Sequence, residues 1–257
     1  MTDFSFDRLR RYPDVEADNL FAVDASDRLI LDEAAAALGS AGAGEVVVLE
    51  DHYGALTLGA AAIAGARGIR THQDSLSGEL ALAQNAADLG LSDVYRSLGL
   101  GEELLAGARV VLLQLPRSLS ALDELAGTVA RYAAPGVRVF AGGRIKHMTT
   151  AMNEILARHF GELNVSPARQ KSRVLIASTP VPTEPGWPRT ESHADLGLAV
   201  CAHGAAFAGT TVDIGTRYLL EFLDQMKPDA AAAVDLGCGT GVLAAALALR
   251  RPALRVL

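Results

Sequence analysis

Three alternating glycines beside an acidic residue form the pattern in this sequence best suited to binding a ligand. The stretch Asp235-Leu236-Gly237-Cys238-Gly239-Thr240-Gly241 follows a short apolar segment and precedes a helical pattern over residues 242–251. Glycine lets a backbone turn sharply and lets a ligand approach without meeting a Cβ atom. The pattern therefore predicts a strand–turn–helix unit whose turn holds a small molecule.

Two classes of ligand use such a turn. A dinucleotide places its pyrophosphate on the helix N-terminus and needs G-x-G-x-x-G or the weaker G-x-G-x-x-A, which Gly239, Gly241 and Ala244 match. S-adenosylmethionine has no phosphate, and its ammonium group suits an acid at the strand end. Because Asp235 stands at that end and would be unfavourable beside pyrophosphate, the pattern favours S-adenosylmethionine and a methyltransferase. A turn that only packs a strand on a helix is the remaining alternative.

Composition restricts the classes of protein to which the chain can belong. Half of its 257 residues are hydrophobic, which predicts a folded globular protein of one large or two modest domains. The sequence shows no apolar run of about 18 residues and no signal-like N-terminal segment, so no membrane association is expected. Two cysteines and six scattered histidines show no spacing typical of a disulfide framework or a metal site. The simplest expectation is a cytoplasmic protein without a metal.

Charge is distributed unevenly along a chain whose net charge is -7. Residues 1–51 hold twelve acids and four arginines, whereas residues 138–173 hold seven cations and two acids. A local basic face on an acidic protein can bind a phosphate backbone, although an ordinary solvated surface is the simpler explanation. The candidate contacts to RNA phosphates are Arg144, Lys146, Arg169, Lys171 and Arg173.

Strand and helix patterns alternate through the first two thirds of the sequence. Apolar strand patterns occur at 45–51, 68–74, 108–116, 137–143 and 172–178. Their alternation with helical patterns predicts an α/β fold with a mostly parallel sheet covered on both faces. Four prolines within residues 179–188 exclude a helix interior or a central strand there. We therefore predict an N-terminal domain over residues 1–178, a linker over 179–195 and a second α/β domain over 196–257.

These patterns together resemble those of the rRNA guanine-N2-methyltransferases, which join two methyltransferase-like domains. Phe207 and the stretch from Thr211 through Asp213 to Glu221 resemble the family's approach to the catalytic domain, and the glycine pattern follows. The N-terminal stretches QLPRSLSAL, GGRIKHMTTAMNEIL and SPARQKSRVLI look closer to the large-subunit type, and the likeness extends over nearly the whole chain. The resemblance implies a Rossmann-like class I methyltransferase fold in a degenerate N-terminal copy, followed by the beginning of a second, catalytic copy.

The resemblance also implies which residues bind S-adenosylmethionine. They are Phe207, Asp213, Asp235, Gly237, Cys238, Gly239, Thr240 and Gly241. In this fold an acid at the end of the next strand binds the ribose, and the family's catalytic Asn-Pro-Pro-Phe follows later. Both would lie beyond Leu257, so no catalytic residue is named. The 257-residue chain is expected to be a truncated, inactive form.

The N-terminal copy carries degenerate versions of the same signals. Asp51 corresponds to Asp235 at an offset of 184 residues, but the turn after it has one glycine, Gly54, so side chains would fill the cofactor space. Asp74 ends the second strand, where a ribose could bind. The stretch Gln114-Leu115-Pro116-Arg117 stands where an Asn-Pro-Pro-aromatic motif would bind an exocyclic amine. We therefore expect no methyl transfer in this domain.

The expected function is transfer of a methyl group from S-adenosylmethionine to the N2 amine of a guanine in rRNA, with the N-terminal domain supporting catalysis or binding RNA. The expected partner is rRNA, within a ribosomal subunit or its precursor. A methyltransferase for a small molecule or a protein amide is one alternative, because those substrates can share the Asn-Pro-Pro pattern. A non-catalytic RNA-binding module is the other alternative for these 257 residues.

Overall fold

The structure is a computed structural model and describes residues 4–257. The described residues divide into two compact units, the first ending at Glu184 and the second spanning Pro185–Leu257. The boundary falls inside the linker predicted over residues 179–195, and that range also contains a strand at Arg189–His193. None of the helices described is long and apolar enough to cross a lipid bilayer.

A seven-stranded sheet forms the centre of the first unit. Its strands are β1 Val46–Leu49, β2 Ile69–His72, β3 Tyr95–Ser97, β4 Val110–Gln114, β5 Arg138–Arg144, β6 Phe160–Val165 and β7 Ser172–Pro180. They lie in the order β3-β2-β1-β4-β5-β7-β6. The first five are parallel, whereas β7 runs antiparallel to both β5 and β6. The predicted α/β class with a mostly parallel sheet is confirmed.

Helices cover both faces of this sheet. They are α1 Ala25–Ser40, α2 Ala55–Ala64, α3 Leu76–Leu89, α4 Glu102–Leu105, α5 Leu119–Tyr132 and α6 Thr150–His159. All four residues of β1 are buried, with Val46 and Val48 in one hydrophobic cluster and Val47 and Leu49 in the other. This alternation explains why β1 reads as a continuous apolar run, since both of its faces are covered. Strand order and burial together place the carboxyl ends of β1, β4 and β5 side by side.

Two strands of the sheet were not predicted from the sequence. β3 has three residues, none of them buried, and only Phe160 of β6 is buried. Both strands lie at the edges of the sheet. Their residues therefore carry little of the apolar pattern that identifies a strand in sequence.

The second unit contains fewer and shorter elements. They are β8 Arg189–His193, β9 Leu198–Ala202, α7 Ile214–Leu220, β10 Ala232–Ala233, α8 Val242–Arg250 and β11 Arg255–Val256. β8 and β9 form an antiparallel hairpin, and β10 pairs with β11 in parallel. Helices α7 and α8 contribute Leu220, Val242 and Leu247 to a small apolar core. The glycine turn connects β10 to α8.

Candidate functional site

The glycine turn of the second unit needs glycine for its backbone conformation and not for lack of space. Gly237, Gly239 and Gly241 have φ values of 77°, 56° and 76°, in the left-handed region that other residues rarely adopt. A Cβ atom placed on any of the three would meet no heavy atom within 4 Å. Cys238 between them is exposed, and its carbonyl accepts a hydrogen bond from the Gly241 N–H at 2.8 Å. The turn therefore presents an open, side-chain-poor surface to a ligand.

Asp235 is positioned beside this turn by the strand before it and the helix after it. Its backbone N–H donates to the carbonyl oxygen of Leu257 at 2.8 Å, which continues the pairing of β10 with β11. Its carboxylate accepts a hydrogen bond from the N–H of Ala244, the third residue of α8, at 3.1 Å. The carboxylate is therefore fixed where the strand ends and the helix begins.

Phe207 and Asp213 lie on the segment that precedes α7, apart in sequence from the glycine turn. The side chain of Asp213 caps α7 by accepting hydrogen bonds from the N–H groups of Gly215 and Thr216 at 2.9 and 3.3 Å and from the Thr216 hydroxyl. The hydrogen bond from Thr216 is the largest influence that lowers the pKa of Asp213. Phe207 is 79% exposed. The structure thus brings six of the eight predicted cofactor residues together in one turn, and assigns Asp213 a helix cap.

The first unit contains a shorter version of the same arrangement. The carboxylate of Asp51 accepts hydrogen bonds from the first turn of α2, including one at 2.8 Å from the N–H of its third residue, Thr57. Gly54 precedes α2 with a φ of 97°, just as Gly241 precedes α8. However, α2 begins four residues after Asp51, whereas α8 begins seven residues after Asp235. The turn of the first unit is therefore three residues shorter.

Side chains cover this shortened turn. The Tyr53 hydroxyl donates to Asp14 Oδ2 at 2.6 Å, and the guanidinium of Arg11 lies 4.6 Å from the centre of the Tyr53 ring. Asn85 Nδ2 donates to the carbonyl oxygens of Tyr53 and Arg10, both at 2.8 Å. These hydrogen bonds hold the segment around residues 10–14 against the turn, and Asp51, His52 and Tyr53 of the turn also line a cavity.

A cavity of about 500 Å³ lies at the carboxyl ends of β1, β4 and β5 in the first unit. Ser26, Asp27, Asp51 and Gln114 are buried among the residues that line it. Gln114 Nε2 donates to Oδ1 of Asp27 and, at 3.0 Å, to the hydroxyl of Ser26. Gln114, which stands where the family's catalytic motif has Asn, is therefore hydrogen-bonded to other residues of the cavity wall.

Burial changes the charge of this wall. It raises the pKa of Asp27 to about 7, with the neighbouring Asp51 adding to the shift. It also raises the pKa of Asp51 to about 6, even though hydrogen bonds from Leu56 and Thr57 act in the opposite direction. Both carboxyl groups are therefore protonated in part near neutral pH, because a charged carboxylate loses its hydration when buried.

Basic side chains are among the residues that line this cavity. Arg11, Arg117, Arg144 and His147 line it, and Lys146 is adjacent in sequence. Desolvation, followed by the charges of Arg117, Lys146 and Arg144, lowers the pKa of His147. Arg117 was not predicted from the sequence, because it follows β4, whereas the predicted residues Arg144 and Lys146 lie at the end of β5.

The structure brings the predicted RNA-contacting residues to the paired ends of β5 and β7. Two of them form ion pairs with acidic residues. Arg144 pairs with Asp24 at 2.7 Å, and Arg169 pairs with Asp32 at 2.8 Å. Lys146 and Lys171 are exposed, and the carbonyl of Lys171 accepts the N–H of Ile145 next to Lys146 at 2.9 Å. Arg173 is half-buried opposite Gly143. Lys146 and Lys171 are consequently the better candidates for phosphate contacts.

Comparisons with known sequences identify two regions. The sequence model described as "RLMG N-terminal domain" matches residues 1–181, and the one described as "Methyltransferase small domain" matches residues 197–257. A protein of Pseudomonas fluorescens called "Ribosomal RNA large subunit methyltransferase G" is 35% identical over 95% of this chain and 65% of its own length. Its namesake in Pseudomonas aeruginosa is 34% identical over 98% of this chain and 67% of its own length. The chain thus spans about two thirds of these relatives.

Comparison with solved structures identifies the fold. The T. thermophilus 16S rRNA N2 G1207 methyltransferase (RsmC), solved in complex with AdoMet and guanosine, superimposes with a TM-score of 0.65. The match covers 91% of this chain and 61% of that one, at 20% sequence identity. The chain therefore has the Rossmann-like fold of the class I methyltransferases.

Proposed function

The chain belongs to the family of ribosomal RNA large subunit methyltransferase G, and from this premise we propose that the whole protein transfers a methyl group from S-adenosylmethionine to the N2 amine of a guanine in rRNA. The observation that carries the proposal is the arrangement of Asp235, the glycine turn and α8 within a matching methyltransferase domain. The curated relatives act, by their names, on large-subunit rRNA, and the structural relative is named for N2 of a guanine.

The residues of the second unit fit S-adenosylmethionine. The three glycines lie in the left-handed region with open space around each, so the cofactor can approach the backbone closely. The carboxylate of Asp235 is held at the strand end and suits the cofactor's ammonium group. The turn residues Gly237, Cys238, Gly239, Thr240 and Gly241 would hold the cofactor with Asp235, and Phe207 and Asp213 are proposed to complete the site.

The bound cofactor supplies an electrophilic methyl group, and residues of this chain hold the cofactor in position. Asp235 is fastened to α8 before the ligand arrives, so its orientation is set in advance. A preorganised site holds the two reacting groups in a defined orientation, which lowers the entropic part of the reaction barrier. A guanine inside a helix must be unpaired or turned out of the stack before its N2 amine can approach.

We infer that the first unit binds no S-adenosylmethionine and contributes contacts to RNA. Its turn is three residues shorter and carries Tyr53, whose hydroxyl is bonded to Asp14, and the carboxylate of Asp51 is bound to the amides of α2. Arg117, Arg144, Lys146 and Lys171 offer cations for phosphate oxygens, which would give affinity without sequence reading. A cytoplasmic location agrees with this substrate and with the two free, exposed cysteines.

The function can be tested with the whole protein, protein-free large-subunit rRNA and isotopically labelled S-adenosylmethionine. Digestion of the RNA and mass spectrometry of the nucleosides should detect labelled N2-methylguanosine. Asp235→Ala should lower the product at least about tenfold, because the ammonium group loses its charged partner. Asp229→Ala, which changes an exposed acid of the same unit, is the matched control and should retain activity.

The alternatives give different outcomes in the same assay. Label in another nucleoside would contradict the N2 assignment while leaving a methyltransferase in place. Label in a ribosomal protein or a small molecule, with none in RNA, would favour the rival methyltransferase functions. RNA binding without any transfer, in a protein that also fails to bind S-adenosylmethionine, would leave only a non-catalytic module.

A further inference from the structure

Three potential metal ligands meet at the carboxyl ends of β1 and β2 in the first unit. Glu50 follows β1, His72 ends β2, and Asp74 lies two residues further. Each offers one ligand atom, and these atoms all lie within 4.8 Å of one another. The parallel register sets Leu49 beside His72, and the Glu50 N–H donates to the His72 carbonyl at 2.9 Å. Strand pairing therefore holds the three side chains together.

The imidazole of His72 is oriented as metal-binding histidines commonly are. Its Nδ1 lies 3.0 Å from the carbonyl oxygen of Leu98, and its Nε2 lies 3.6 Å from Oδ1 of Asp74. A carbonyl can only accept, so Nδ1 carries the proton in this hydrogen bond and Nε2 points toward the carboxylates. A backbone carbonyl on the second nitrogen is the usual support for a metal-bound imidazole.

The backbone at Glu50 is unusual. Its φ of 58° lies in the left-handed region, which is uncommon for a residue with a Cβ atom. The carboxylate of the same residue accepts a hydrogen bond from the Asp74 N–H. Unusual backbone conformations of this kind concentrate at ligand sites, where the surrounding structure holds them in place.

A cavity borders His72 on one side of the cluster. Thr71 and Gln73 flank His72 on the chain. These three residues line a cavity of about 280 Å³ together with Glu79, Ser97, Leu98 and Gly99, whereas Glu50 and Asp74 do not line it. Thr71 is only 1% exposed, and its Oγ1 has no hydrogen-bond partner in the described structure. Neither the oxygen nor the nitrogen of the Gln73 amide has one there either. Buried polar atoms without partners indicate that water occupies this cavity beside His72.

We propose that Glu50, His72 and Asp74 bind one divalent first-row transition-metal cation, such as Zn²⁺ or Mn²⁺, whose remaining ligands are water. One imidazole nitrogen and two carboxylate oxygens form a donor set suited to these cations, whereas Mg²⁺ prefers oxygen ligands alone. The ion would link the carboxyl ends of β1 and β2, next to the shortened turn of the first unit. Metal binding at this position requires no methyltransferase activity.

Calorimetric titration of the 257-residue chain with ZnCl₂, MnCl₂ and MgCl₂ tests this site. Cys201 and Cys238 are replaced by serine in every sample, because both are exposed and thiolates bind Zn²⁺. We expect one Zn²⁺ or Mn²⁺ per chain and at least about tenfold weaker binding of Mg²⁺. His72→Gln should weaken binding at least about tenfold, whereas the exposed His203→Gln should leave it unchanged.

Asp74→Asn provides a second variant that should preserve folding, since the side chain of Asp74 is 59% exposed. It should also weaken binding about tenfold while keeping the melting temperature of the parent chain in EDTA. Absence of saturable binding up to about 1 mM metal would overturn the proposal and leave a protonated His72 paired with Asp74. Binding that persists unchanged in both His72→Gln and Asp74→Asn would also overturn it.

Discussion

Asp51 and Asp235 occupy the same position in two strand–turn–helix units, and each carboxylate accepts a hydrogen bond from the third residue of the following helix. The donors are the N–H of Thr57 at 2.8 Å and the N–H of Ala244 at 3.1 Å. What differs is the turn between acid and helix, which is three residues shorter after Asp51. The shared hydrogen bond supports an internal duplication, and the shorter turn explains how one copy could lose a cofactor surface while keeping its fold.

The glycines of the turn give the first prediction. Gly239→Ala should weaken S-adenosylmethionine binding by the whole protein about tenfold, because alanine at a φ of 56° costs about 1–2 kcal/mol. Calorimetry measures the affinity. Gly186→Ala is the control, since Gly186 has open space around it and no left-handed φ. Equal affinities for Gly239→Ala and the parent protein would show that the turn conformation is not needed for binding.

The buried carboxyl groups give a prediction about pH. Burial raises the pKa of Asp27 from 3.8 to about 7, so the folded state holds a proton that the unfolded state releases between these values. Stability is therefore expected to fall as pH rises from about 4 to about 7. Asp51, with a pKa of about 6, contributes in the same direction.

Asp27→Asn should remove much of this pH dependence. The Asn oxygen can accept from the Asp24 N–H, and the Gln114 amide can rotate to accept from the new NH₂ group. Urea denaturation followed by circular dichroism at pH 5 and pH 7.5 should show the fall reduced by about 2 kcal/mol. The exposed Asp93→Asn should leave the fall unchanged. If Asp27→Asn shows the same decrease in stability between pH 5 and pH 7.5 as the parent protein, other groups cause the decrease.

The effect of the predicted phosphate contacts on RNA binding can be distinguished from the effect of the protein's net charge. Lys146→Gln with Lys171→Gln should weaken rRNA binding and lower the slope of log affinity against log salt by about 0.7–0.9 for each lysine–phosphate interaction that is removed. The matched pair is Arg96→Gln with Arg109→Gln, two exposed cations of the same unit. Filter binding at several salt concentrations measures both slopes. If the two pairs behave alike, the residues 138–173 form an ordinary solvated surface.

The division of the chain can be examined by limited proteolysis. β7 ends at Pro180 and β8 begins at Arg189, and the residues between them form neither helix nor strand. A protease of broad specificity should cut first between residues 179 and 195 and leave an N-terminal piece that unfolds cooperatively, because both faces of its sheet are covered. First cleavage within residues 45–178 would contradict this boundary.

Much of the fold could be predicted because its signals are local. The buried strand β1 and the glycine turn after β10 are recognisable from neighbouring residues alone, through apolar runs and through the conformational freedom of glycine. The edge strands β3 and β6 could not be predicted, since few of their side chains are buried and their pairing comes from distant segments. An acid followed by three alternating glycines was likewise sufficient to indicate the cofactor class.

The α/β class, the family and the glycine turn could be predicted from the sequence, because each depends on the order of residues along the chain and not on which distant segments meet in space. Only the tertiary structure showed that Asp27 and Gln114 share one cavity wall, and that Asp24 pairs with Arg144. Only strand register brings Glu50 within reach of His72. The physical reason is the same in each case: pKa shifts, ion pairs and metal ligand sets depend on distances of a few ångströms, and parallel strands create these distances between residues far apart in the chain.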